Sequence, residues 1–222
     1  MFDWFCSKRT LYLSLKHAGY PIDAVLEADC VAGYLRHYSV LYVVEPQVSE
    51  AATTAIESWV KAGGRLFTTA AALTLNEYNE TSTAASSLFA PISVDQPIFV
   101  GERACPHGVQ DHRCERSRVQ LSKQDLAFAP RLDSVFFPNA SGAADGGTCG
   151  VFGEKSVLSI PQGDGVVAPV ATFGDGTPAI AKVERGKGAV WVAAFHPGLS
   201  YFHPALPPTE PACKGEPRQP SF

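Results

Sequence analysis

The stretch from Val40 to Ala70 constrains the fold more than any other part of the chain. Val40-Leu41-Tyr42-Val43-Val44 is an unbroken β-rich apolar run, the pattern of a strand buried on both faces of a parallel sheet. Ser49 then stands as an N-cap with Glu50 in the positive first turn of a helix, and Ala52, Ile56, Trp59 and Val60 form one apolar stripe that ends at Gly63-Gly64. Arg65 to Ala70 follows as a second buried strand. Strand, helix and strand over about thirty residues make a right-handed crossover unit, so the chain is read as α/β with a parallel sheet flanked by helices.

Around this unit the pattern is more varied. Leu11, Tyr12 and Leu15 recur at helical spacing between Lys8 and Ala18, and Gly19-Tyr20-Pro21 stops that helix. Ile22 to Leu26 reads as a short strand. From about 91 to 153 the sequence is rich in Pro, Gly and charge, with short strands expected only at Pro97 to Val100 and Val135 to Phe137, and is read as an irregular insertion. Strand patterns return at Ser156 to Ile160, Val166 to Phe173, Ala179 to Glu184 and Ala189 to Phe195. The turn sequences Gly174-Asp175-Gly176 and Arg185-Gly186-Lys187-Gly188 suggest β-hairpins added beside the main sheet. One domain over 1–202 is expected. The tail 203–222, with six prolines, is expected to be disordered.

Composition excludes some partners. The 222 residues are 45% hydrophobic and 18% charged, enough for one substantial core. A net charge of −4 without a run of Lys or Arg argues against nucleic acid or an anionic membrane surface. No stretch has the length and apolarity of a membrane span, and Met1-Phe2-Asp3-Trp4-Phe5-Cys6 lacks the two regions of a signal peptide. The cysteines at 6, 30, 105, 114, 149 and 213 are scattered, so free thiols are expected. The sequons at Asn79 and Asn139 matter only in a secretory compartment.

Several segments, taken in order, resemble the trimerisation domain of bacterial-type β-galactosidases, which has the class I glutamine amidotransferase-like, flavodoxin-like fold. They are Leu11 to Asp23, Tyr38 to Val43, Trp59 to Leu66, Asn76 to Glu80, Phe173 to Ala179 and Gly186 to Trp191. Members of that group begin with a strand ahead of the first helix. Here about seven residues precede Lys8, so that strand is expected to be missing, and its neighbours to be left with exposed edges. The resemblance implies a role in assembly, by self-association or with a glycosidase domain, and places glycosidic hydrolysis in a separate barrel.

It also sets an expectation for chemistry. An amidotransferase needs a cysteine on a sharp turn after a strand, a histidine as its base and an acid to orient the histidine. After the strand ending near Ala70 the sequence runs Ala71-Ala72-Leu73, and neither a Gly-x-Cys-x-Gly nor a Gly-x-Ser-x-Gly elbow occurs. Ala194-Phe195-His196-Pro197-Gly198 looks like the element carrying the base, with Gly198 where the orienting glutamate would stand. His196 is therefore read either as a strand-capping residue or as a repurposed acid, base or ligand contact, and no confident catalytic residue is assigned.

Cys105, His107, His112 and Cys114 form a Cys-x-His-x4-His-x-Cys cluster that would suit zinc, although the cysteines would equally form a disulfide or stay reduced. No other cofactor is expected. Asp23, Glu27, Asp29, Glu77 and Glu80 are read as solvated acids rather than a glycosidase pair, since nothing in their spacing sets two carboxyls across a sugar. Trp59 and Trp191 are assigned to packing. The leading expectation is a non-catalytic domain of a carbohydrate-active protein. The alternatives are a ligand-binding or hydrolytic protein using His196, and a zinc-stabilised interaction module.

Overall fold

The computed structural model describes residues 4–99, 131–138, 147–152, 154–160 and 167–202. In chain order the elements are α1 (Trp4–His17), α2 (Glu27–Val31), a 3-10 turn (Tyr34–His37), β1 (Val40–Val43), α3 (Glu50–Ala62), β2 (Arg65–Thr69) and α4 (Thr83–Phe89). Then come β3 (Ser93–Phe99), β4 (Arg131–Phe136), β5 (Thr148–Phe152), β6 (Glu154–Ser159), β7 (Val167–Phe173), β8 (Pro178–Arg185), β9 (Gly188–Ala193) and α5 (Pro197–Phe202). Seven strands form one sheet in the order β1-β2-β9-β8-β7-β4-β5, and β3 pairs with β6 in a second, two-stranded sheet.

The crossover unit is present as expected, with β1 parallel to β2 and β2 parallel to β9. Beyond β9 every pairing in the sheet is antiparallel. The sheet is thus mixed, and a flavodoxin-like, wholly parallel sheet is not what the described residues build. The physical reason lies in the connections: the turns at Gly174-Asp175-Gly176 and Arg185-Gly186-Lys187-Gly188 are too short to cross over, so they can only return the chain antiparallel. The hairpins therefore do not stand beside the sheet but make up its larger half, with β9 between the two kinds of ladder.

Two other expectations change. Ile22 to Leu26 forms no ladder and is an unpaired connection. Within the span 91–153, β4 and β5 join the main sheet and β3 pairs with β6, so those parts of the expected insertion are regular. Among the described residues no strand precedes α1.

The registers sort the sheet into two rows. Leu41, Leu66, Val190 and Val183 are in register across four strands, and the last three are fully buried. On the other face the matching row is Tyr42, Phe67, Trp191 and Lys182, with Tyr42 exposed and Phe67 and Trp191 half-buried. Tyr42 and Phe67 lie with ring centroids 5.6 Å apart, and the Lys182 ammonium sits 5.4 Å over the Trp191 ring.

α3 seals the core with Ala52, Ile56 and Val60, each buried. The Ser49 side chain accepts from the Ala52 amide, a cap worth about 1 kcal/mol. The helix ends because Gly63 adopts φ 129°, which no side chain tolerates well, and its far end is fastened to the β8–β9 turn by the bond from Lys187 N–H to Lys61 O at 3.0 Å. A Cβ on Gly188 would strike the backbone carbonyl oxygens of Val60 and Gly64, so glycine is what lets β9 start against the end of α3. Replacing Gly188 by Ala forces that backbone apart and should lower stability by about 2 kcal/mol or more, seen as a lower urea midpoint with an unchanged slope.

Candidate functional site

In an α/β sheet ligands bind outside the carboxyl ends of the parallel strands, which here means beyond Thr69 of β2 and Ala193 of β9. The strands are locked together there, with the Ala70 amide donating to Ala193 O at 2.8 Å. The chain then runs Ala194-Phe195-His196 into α5. β6 closes one side, its Ser156 amide donating to Ala194 O at 2.8 Å. Thr69, Ala70, Ala71, Ser156, Ala193, Ala194, Phe195 and His196 line a cavity of about 10 Å³, room for a single water. His196 is buried in this wall, and its carbonyl accepts from the Ser200 amide at 3.1 Å and the Ser200 hydroxyl at 3.2 Å. Among the described residues no thiol lines the cavity, and the residues after β2, where the resemblance led us to look for a nucleophile, are Ala70, Ala71 and Ala72, two of them buried.

Gly198 accounts for the missing acid. α1 crosses α5 so closely that a Cβ at 198 would meet the Leu11 backbone nitrogen, with Thr10 C at 2.6 Å and Leu11 Cα at 2.7 Å. Thr10 and Leu11 are correspondingly buried. A glutamate at 198 has no space while α1 is in place, so the helix crossing excludes an acid at that position.

The charged groups next to the cavity are committed to structure. Lys155 Nζ reaches Asp133 Oδ2 at 2.7 Å and Asp175 Oδ2 at 2.9 Å, and lies 4.2 Å over the Phe173 ring. Burial works against the Lys155 charge, yet hydrogen bonds to Asp133 and Asp175 outweigh it and raise its pKa above the ordinary value. Asp133 is desolvated too, but bonds from Lys155, the Ser134 amide and the Gly174 amide hold its pKa low. The cluster ties the β7–β8 turn to β4 and β6. A lysine held charged in this way is neither a nucleophile nor a base.

The acids weighed as sugar-site candidates accept hydrogen bonds within the fold, three of them from amides at helix starts. Glu27 Oε2 accepts from the Ser49 amide at 3.1 Å and Glu77 Oε2 from the Glu50 amide at 2.9 Å, both at the start of α3. Asp29 accepts from the Leu26 amide at 3.0 Å, Asp23 from the Tyr38 hydroxyl at 2.8 Å, and Glu80 from Asn76 at 3.1 Å. Glu50, which sequence reasoning used only as a first-turn charge, joins two helices: its Oε1 accepts from the Thr83 hydroxyl at 2.6 Å, the Thr83 amide at 3.1 Å and the Ala84 amide at 2.9 Å, at the start of α4. A Ser-Thr pair opening a helix 33 residues away gave no sequence signal that Glu50 was its acceptor.

Cys105, His107, His112 and Cys114 lie outside the described residues. Among the described residues no group of three His, Cys, Asp or Glu side chains is placed to hold a metal. The described Cys30 and Cys149 are free thiols, and burial raises the pKa of both, for Cys30 with the help of Asp29 and Glu27. Trp59 is half-buried against the core, as is Trp191 on the opposite face of the sheet.

Two outcomes follow from this geometry. The bond from the Thr83 hydroxyl, and then that from the Ala84 amide, lower the Glu50 pKa from 4.5 to about 2. A depressed carboxylate stabilises the fold fully above its unfolded pKa and loses that stabilisation as pH falls through the folded one. The melting temperature should therefore fall between about pH 5 and pH 2, and Glu50→Gln should flatten that part of the curve. Gly198→Ala should destabilise the chain by about 1–3 kcal/mol and speed hydrogen exchange in α1, as expected if overpacking is relieved by displacing that helix.

The sequence matches no family model and no curated protein. Solved structures do share the fold. The β-galactosidase Gan42B of glycoside hydrolase family 42, from G. stearothermophilus, aligns with a TM-score of 0.58 at 15% identity over 92% of this chain. A β-galactosidase from Rahnella sp. R3 aligns with a TM-score of 0.60 at 20% identity over 91%. A cytoplasmic protein from Salmonella typhimurium gives 0.50 at 12% identity over 83% of this chain and 73% of its own. The chain spans about a quarter of each β-galactosidase, 26% and 27%. At these identities the likeness establishes a shared mixed α/β fold.

Proposed function

We propose that this chain is a non-catalytic, amidotransferase-like domain of a carbohydrate-active protein, acting through assembly or by shaping a neighbouring glycosidase site. The observation that carries the reading is the state of the carboxyl-end crevice. Where a hydrolytic site would lie there is an alanine run, a one-water cavity, and a helix crossing at Gly198 that leaves no room for a side chain at that position. The solved β-galactosidases with the same fold support the carbohydrate-active setting, and the fraction of their length that this chain spans supports a role as one part of a larger whole. Fold by itself does not transmit function, so the reading stands on the blocked crevice and on what the rest of the surface offers.

The purified chain should hydrolyse neither glutamine nor an aryl β-galactoside above the buffer rate, and light scattering over a wide concentration range should show it associating with itself or with an added β-galactosidase barrel. Turnover that disappears in His196→Ala would replace this reading with a hydrolytic one. A chain that stays monomeric and ignores the barrel would remove the assembly role.

A further inference from the structure

We draw no further inference here: the strongest candidate, the aromatic row Tyr42, Phe67 and Trp191 on the sheet face opposite the buried row Leu66, Val190 and Val183, is an apolar surface patch, and nothing among the described residues shows what covers it.

Discussion

β9 has to satisfy two ladders at once, parallel to β2 on one side and antiparallel to β8 on the other, and the arrangement of the rest follows from how that is achieved. Its start must come in against the end of α3, and that requires backbone to touch backbone at Gly188, Val60 and Gly64. Its end must deliver Ala194, Phe195 and His196 between β6 and α5. With both ends fixed, the fully buried row Leu66, Val190 and Val183 is brought into register, and each such aliphatic side chain contributes about 1.5–3 kcal/mol of burial. The glycines at 63, 64, 186 and 188 are thus a coordinated contact rather than four separate turns.

What could be read in the sequence was what local physics decides. α3 was legible from its cap, stripe and glycine stop, and β7, β8 and β9 from β-rich runs between turn sequences, because those signals act within a few residues. The partners of those strands were not legible. Nothing in Arg131–Phe136 indicates that it pairs with both β5 and β7, since a ladder is specified by the neighbour's register as much as by the strand's own residues. Ile22 to Leu26 has strand composition and, among the described residues, no ladder, which shows the limit of propensity where no neighbour's register engages the segment.

The site was legible in one half. That no cysteine follows the strand ending near Ala70, and that His196 opens the run into α5, could be read directly, since residue types need no coordinates. The reason for Gly198 could not, because it depends on α1 passing within contact of α5, a meeting of segments almost two hundred residues apart. The carboxylates Glu27 and Glu77 were read as solvated acids, and their work as acceptors from the Ser49 and Glu50 amides is a matter of which amides lie about 3 Å away, which no spacing in the sequence reports.

These features bear on one another. The crossing that denies position 198 a side chain also closes that end of the sheet, because α1 packs there through Thr10 and Leu11. The same helix, held by Lys8 to Glu45, frames the carboxyl end of β1. Among the described residues the end of the sheet where α/β folds place ligands is closed by packing, and β1 stands at the edge of the sheet with Val40 and Tyr42 exposed.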